Sequence, residues 1–367
     1  MAEQKSLSVL FLTRYPQEGA SSRYRVFQYV PYLEELGIDC TVQSFMDTEM
    51  YRLSLSSGDT FKKIVMTLRA TLRRLRILSG FRQFDVIYMQ REIFPFGPPL
   101  VERLLKKMGV PLVFDYDDAL FIKKPSRYNP IATFFRSPEK TRVLLGLVDR
   151  TIAGNNWLRE NAESEGGKAV TIEVAEDTAR FVSANTKFAQ RSGPVTVGWL
   201  GSPSTAKYMS EIEEELREIA ARNPEVRWEM MGSGKFAMAG VPWVTEEWSI
   251  EAEKAALARY DIGLMPLPKQ EWSRGKSGGK ARTYMAAAVV PVVESIGYNR
   301  ELIRHGETGF LCETGGDWIA NLESMIRNFG ARENVARAAQ NDVEMRFSPS
   351  KKAAEIAAVL REIAGVS

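Results

Sequence analysis

Histidine is almost absent from this chain: His305 is the only one in 367 residues. A single imidazole disfavours zinc hydrolases and every mechanism that pairs serine or cysteine with histidine. Cysteine is scarce too, with Cys40 and Cys312 far apart and each inside a strand-like run. Two thiols build neither a disulfide framework nor a zinc knuckle, which points to a reducing, cytoplasmic setting. Long apolar runs are lacking. The longest, around Tyr284 to Val293, falls far short of the roughly 18 residues that suggest a membrane-spanning helix. Met1 to Ser8 has no apolar core of a leader peptide. Neither sign of charge is in excess: 49 basic against 46 acidic residues leaves +3, so no nucleic-acid partner is expected and only local clusters of charge matter. What is present is a globular composition, 44% hydrophobic and 26% charged, in a chain long enough for two domains.

Short apolar runs alternate with amphipathic stretches. Leu7 to Leu12, Ile38 to Phe45, Phe84 to Met89, Pro111 to Phe114, Arg150 to Ala153 and Ala169 to Val174 read as strands. Tyr24 to Leu36 reads as a helix, with Val26, Tyr29, Val30 and Leu33 on one face and Gly37 as its stop. The pattern weakens over Phe181 to Pro194, which reads as a linker, and then restarts. Val195 to Leu200, Val226 to Met231, Tyr260 to Pro266 and Val289 to Val293 are the second set of strands, with a long charged helix reaching about Ala221. Continuous apolar strands between helices indicate parallel sheets covered on both faces. The expected architecture is α/β: two tandem Rossmann-like, doubly wound domains over 1–185 and 186–348, then a helix over 349–367. Ligands of such sheets bind beyond the carboxyl ends of the strands, so the cleft between the domains is the expected site.

Two loops carry the chemistry of the second half. Gly198-Trp199-Leu200-Gly201-Ser202-Pro203-Ser204-Thr205 ends its first strand and enters a helix, with Lys207 just inside. Such a turn suits phosphate, through free amides and the helix dipole. A tight turn using glycine for backbone freedom is the alternative, and the Rossmann Gly-x-Gly-x-x-Gly is not matched. Ser273-Arg274-Gly275-Lys276-Ser277-Gly278-Gly279-Lys280 packs three cations and three glycines before a helix. The spacing of a Walker A loop fails, which disfavours a nucleotide triphosphatase. What remains is a cationic loop at a helix N-terminus, suited to a pyrophosphate whose charge grows as a bond breaks.

In the first half, Asp115-Tyr116-Asp117-Asp118 follows a buried-looking strand. Carboxylates there suit sugar hydroxyls, a general base or structural hydrogen bonds, and nothing nearby completes a metal site. Ser21, Ser22, Arg23 and Arg25 follow the first strand, and Gln90-Arg91-Glu92 ends the third. Phe61 to Phe84 holds Lys62, Lys63, Arg69, Arg73, Arg74, Arg76 and Arg82 with no acid among them, while Ile64, Val65, Leu68, Leu72, Leu75 and Leu78 recur at helical spacing. A basic amphipathic helix of this kind lies on anionic lipid or packs a domain with a solvated face. An anionic membrane surface is therefore an expected partner through 61–84.

The ordered set of motifs resembles the GT-B glycosyltransferases, especially the family 4-like bacterial nucleotide-sugar enzymes. The resemblance spans nearly the whole chain. It rests on Phe84-Asp85-Val86-Ile87-Tyr88, Phe114-Asp115-Tyr116-Asp117-Asp118 and the Gly198 to Thr205 segment. It continues through Tyr260-Asp261-Ile262-Gly263-Leu264-Met265-Pro266-Leu267 and Lys280-Ala281-Arg282-Thr283-Tyr284-Met285-Ala286-Ala287. It ends with Pro291-Val292-Val293-Glu294-Ser295 and Gly306-Glu307-Thr308-Gly309-Phe310-Leu311.

The resemblance implies a donor nucleotide on the second domain, an acceptor on the first, and a final helix crossing back to the first. It implies transfer from a nucleotide-diphosphate sugar to a glycan or lipid-linked acceptor, with retention and with no metal or cofactor. The family's Glu-x7-Glu pair falls on Gly275 and Thr283, neither of them acidic, and Lys276 and Lys280 are similar to a subgroup with lysines in this loop. Expected donor contacts are Gly201, Ser202, Thr205, Lys207, Arg274, Gly278, Gly279, Thr283, Tyr284 and Glu301. Expected acceptor contacts are Arg23, Arg25, Arg91, Glu92 and Asp117. Lys280, Lys276 and Asp118 are the expected catalytic residues. The alternatives are a nucleotide-sugar epimerase of the same fold and a degenerate, non-catalytic nucleotide-sugar-binding protein.

Overall fold

A computed structural model describes residues 6–54, 58–122 and 138–366, so 1–5 of the stretch read for a leader lie outside it. The chain divides into two compact units, Met1–Ala175 with Pro349–Ser367, and Glu176–Ser348.

The first unit is a six-stranded parallel sheet: β1 (Leu7–Thr13), β2 (Ile38–Ser44), β3 (Val86–Gln90), β4 (Leu112–Tyr116), β5 (Arg150–Ala153) and β6 (Ala169–Thr171), in the order β2-β1-β3-β4-β5-β6. Strands β3 and β4 are buried at every position, as continuous apolar runs require when helices cover both faces. The chain steps one way from β1 to β2 and the other way from β2 onward. Right-handed crossovers therefore place the intervening helices on opposite faces. On one face lies α1 (Val30–Glu35); on the other lie α2 (Thr60–Ser79), α3 (Leu100–Lys107), α4 (Pro138–Leu147) and α5 (Asn156–Ser164). The helix expected over Tyr24 to Leu36 is broken. Ala20–Ser22 is one α-turn, Arg23–Phe27 is a π-turn, and α1 begins only at Val30.

The second unit repeats the plan with β7 (Thr196–Leu200), β8 (Arg227–Met231), β9 (Trp243–Glu246), β10 (Ile262–Met265), β11 (Val290–Glu294) and β12 (Phe310–Cys312), ordered β12-β11-β10-β7-β8-β9 and all parallel. Its helices include α6 (Pro203–Ala206), α7 (Glu213–Arg222), α8 (Ile250–Arg259), α9 (Gly279–Ala286), α10 (Gly315–Arg327) and α11 (Phe329–Phe347). Two expectations are corrected. The single charged helix after Gly201 is divided by 3-10 turns over Lys207–Ile212. Within Phe181 to Pro194 lies the helix Ala184–Gln190, capped by Ser183, with Phe188 in the core of this unit.

The last helix, α12 (Pro349–Ala364), returns to the first unit. Ala353, Ile356, Ala357 and Leu360 pack with Leu7, Val26 and Leu33. Burying each large aliphatic there contributes about 1.5–3 kcal/mol, which ties the chain's end to β1.

Candidate active site

In the second unit the carboxyl ends of β7 and β10 meet the N-terminus of α9. Gly278, its cap residue, has φ +65° and no side-chain cap, so among the described residues the first amides of α9 carry no side-chain acceptor. They open on a cavity of about 120 Å³ lined by Thr205, Tyr208, Met265, Leu267, Lys276, Ser277, Gly278, Gly279 and Lys280. Lys280 is half-buried. Its Nζ lies 5.0 Å from the Trp199 ring centre and donates to Thr205 Oγ1 at 3.4 Å. Burial, then the neighbouring Lys276, pushes its ammonium down to about 7. Among the described residues no carboxylate pairs with it. Lys276 rests over the Trp272 ring at 4.0 Å.

The loop is held from beneath. Arg282, buried beside the rings of Tyr298 and Phe347, donates to the Ser277 carbonyl at 2.9 Å. Ser273 donates to the Pro268 carbonyl at 2.7 Å. Gly201 is obligatory in a different way. A Cβ there would lie 2.7 Å from the Trp199 ring and 2.8 Å from Lys280 Cε. Glycine thus provides the space through which the lysine reaches the cavity.

The expected donor residues divide accordingly. Thr205, Gly278, Gly279, Lys276 and Lys280 come together around the cavity. Gly201 and Ser202 adjoin it, but α6 is one turn long and closed by a Ser202–Thr205 capping box with proline at its start. The Thr205 and Ala206 amides both donate to the Ser202 carbonyl and Pro203 has none to offer, so the larger set of free amides sits at α9. Lys207 is exposed beside the Tyr208 ring, Arg274 is exposed, and Glu301 is exposed on the short helix Asn299–Leu302. That helix borders the loop, since a Cβ on Gly297 would meet Arg274 Cα at 2.6 Å. Thr283 and Tyr284 do not face the cavity. Thr283 donates to Glu176 at 2.7 Å, and the Tyr284 hydroxyl accepts from the Leu200 amide and donates to the Leu264 carbonyl, both at 3.1 Å. Sequence reasoning missed Gly232-Ser233-Gly234, which follows β8 and presses on the Gly201 carbonyl. The buried Ser233 hydroxyl has no hydrogen-bond partner there among the described residues. Glycine directly after a strand, as with Gly201 after β7, was the available signal.

In the first unit the carboxyl ends of β1, β3 and β4 gather Arg14, Ser21, Gln90, Arg91, Glu92, Asp117 and Asp118. Arg91 is 3.3 Å from Asp118 and 3.9 Å from Asp117. It holds this position with φ +69°, a left-handed conformation costly for a side-chain-bearing residue. Gln90 accepts from Ser22 at 2.9 Å and donates to Ser21 at 3.0 Å, and Ser21 reaches Asp117 at 3.5 Å. Burial, then Asp118, pushes the Asp117 carboxyl up. Burial raises Glu92, but Arg14, a backbone hydrogen bond, Arg91 and Lys140 together outweigh it and hold that carboxyl low. Arg14 was missed; its place at the end of β1 was the signal.

Arg25, expected to meet an acceptor, is instead a core residue. The π-turn carries it inward, where it donates to Asp115 at 2.8 and 2.5 Å and to the Ile172 carbonyl at 2.8 Å, with Tyr88 donating to the same carboxylate. Arg23 lies aside, over the Tyr24 ring and 3.5 Å from the Glu18 carbonyl.

Two parallel, doubly wound six-stranded units, with a last helix that returns to the first, define the GT-B fold. No protein-family model and no curated protein matches the chain. Among solved structures it is similar to Anabaena Alr3699/HepE in complex with UDP and glucose, at 15% identity over 97% of this chain and 100% of that one, TM-score 0.68. It is similar to a glycosyltransferase from Rickettsia africae ESF-5 at 14% identity over 99% and 100%, TM-score 0.67. Sucrose-phosphate synthase from Thermosynechococcus elongatus matches at 12% identity over 98% and 100%, TM-score 0.67.

Proposed function

We propose that this chain is a glycosyltransferase that moves a sugar, with retention and without a metal, from a nucleotide diphosphate to a glycan or lipid-linked acceptor at the inner face of a membrane, in the making of surface polysaccharide or glycolipid. The observation that carries this reading is Lys280. A lysine whose charge is opposed by burial and by a second lysine, with no offsetting carboxylate among the described residues, is poised for a ligand that brings negative charge. The bare N-terminus of α9 beside it favours the same ligand. A diphosphate supplies that charge, and HepE, similar in fold, was solved with UDP-glucose.

In this reading the donor diphosphate lies against Lys276, Lys280 and the α9 amides on the second unit. The acceptor lies by Arg91, Asp117 and Asp118 on the first. The acceptor hydroxyl oxygen bonds to the anomeric carbon on the face the diphosphate leaves, and the departing phosphate oxygen takes the hydroxyl proton. Both lysines neutralise charge that grows as the sugar–oxygen bond breaks, a task that otherwise falls to a metal. Asp118 orients the acceptor.

Thermal shift with UDP-, GDP-, ADP- and dTDP-sugars tests the donor class. One family should raise the melting temperature, and free nucleotide diphosphate should appear only when acceptor is added. No shift with any of the four would sink the proposal.

A further inference from the structure

Helix α2 has a side that a folded unit ordinarily hides. Its buried line is Ala70, Arg74 and Leu78. A second line, Phe61, Ile64, Leu68, Leu72 and Leu75, recurs at steps of three and four and is exposed throughout, Phe61 to 81% and Leu72 to 67%. Apolar stripes of this spacing normally face a core. Exposed Arg69 and Arg76 run along its edge with Lys62 and Arg73, which pair with Glu49 at 2.8 Å and Asp47 at 3.4 Å, and α2 itself holds no acid. Arg74 does not belong to this basic edge. It is buried, donating to the carbonyls of Ile93, Thr13 and Gln43.

Helix α3 repeats the arrangement on the same face of the sheet. Leu100, Leu104 and the following Met108 are exposed at steps of four, with exposed Arg103 and Lys107 between them. Its one acid, Glu102, is buried against Lys140. The two helices meet through Ile93, whose carbonyl accepts from Arg74 and whose amide donates to Glu102. Arg74 is level with the carboxyl ends of β1 and β2, and α2 runs from there back towards the start of β3. The turns before Arg74 therefore extend past that edge by roughly 20 Å, at about 1.5 Å per residue. All of the stripe but Leu75 lies on this extension, at the end of the unit where Arg91, Asp117 and Asp118 sit.

We propose that α2 and α3 together dock the first unit on an anionic lipid surface. Phe61, Ile64, Leu68, Leu72, Leu100 and Leu104 enter the acyl boundary while the flanking cations meet headgroup phosphates. The docking brings the Asp117–Asp118 end to the headgroup layer, and this last part rests on the transferase reading. Charge selects lipid over a second copy of the chain. A two-fold contact sets a patch against itself, and here cations would oppose the same cations.

The test is sedimentation of the full-length protein with vesicles of phosphatidylcholine alone or mixed with phosphatidylglycerol, and UDP-glucose binding is read on the same samples. The mixed vesicles should bind at least tenfold more tightly, and added salt should release the protein. Phe61→Ser/Leu68→Ser/Leu72→Ser and, separately, Arg69→Gln/Arg76→Gln should each weaken vesicle binding at least tenfold. All five side chains are exposed, so melting temperature and UDP-glucose affinity should not move. Absence of wild-type binding, or binding indifferent to both variants, overturns the proposal. So does lipid-free self-association that the serine variant abolishes, which gives the stripe to a second copy. Vesicle binding by a protein that none of the four sugar nucleotides stabilises upholds the docking surface and removes the transferase reading.

Discussion

Lys280 stands over the indole of Trp199, 5.0 Å from the ring centre, with its chain passing through space that Gly201 leaves open. Two consequences can be measured separately. Lys280→Ala should lower turnover about 100-fold, the scale of losing one donor to developing charge, while the melting temperature stays near wild type. Gly201→Ala leaves the lysine in the sequence but places a methyl against the rigid Trp199 ring, so donor affinity should fall about tenfold, one lost charged hydrogen bond. Unchanged kinetics in both variants would return the lysine to the solvent.

The depressed ammonium of Lys280 gives binding a pH dependence of known sign. The free group titrates near 7, and a bound diphosphate raises it, so binding takes up a proton. Affinity for UDP-glucose, whose diphosphate stays ionised throughout, should be constant below that point. Above it, affinity should weaken by about tenfold per pH unit until the bound-state value is passed. Calorimetry in buffers of different ionisation heat counts the proton, and Lys280→Ala should flatten the profile.

Arg25 and Asp115 form a buried pair whose removal should strike the fold rather than the chemistry. Arg25→Ala leaves the Asp115 carboxylate without its cation in the core of the first unit, at a cost of about 3–5 kcal/mol. Urea denaturation should show that loss in the first unit's transition. A variant of wild-type stability with weakened acceptor binding would restore Arg25 to the acceptor site.

Stereochemistry separates the two roles open to the acids beside Arg91. If the leaving phosphate takes the proton, an α-linked donor gives an α-linked product. Asp118→Asn should then raise the acceptor KM more than it lowers kcat. The product's anomeric proton, read by NMR, decides the first point. A β-linkage would promote Asp117, Asp118 or Glu92 to general base.

Most of both sheets was legible, because strands buried on two faces leave short continuous apolar runs. Edge strand β9 was not: only Trp243 is partly covered, and Val244, Thr245 and Glu246 are exposed, so its pattern is that of a loop. The lysine loop was legible through its crowding of glycine and cations. Arg25 was not, since an arginine early in a helix reads as surface, and only the π-turn aims it at Asp115. Arg74 was grouped with the basic edge although it stands four residues from both Ala70 and Leu78, the buried line of the same helix. The spacing alone separates it. Thr283 and Tyr284 follow Lys280 by three and four residues, but α9 is buried from Ala281 onward, and only its first turn reaches the cavity.

In the proposed transferase, Lys276 and Lys280 hold a sugar nucleotide's diphosphate. Calorimetric titration of wild type, Lys280→Ala and Lys276→Ala with the sugar nucleotide giving the largest thermal shift tests it most directly. Saturable 1:1 binding that weakens about 10- to 100-fold in each variant is the predicted result, the loss of one charged hydrogen bond at about 1.5–3 kcal/mol. Binding of equal strength in all three proteins would contradict it.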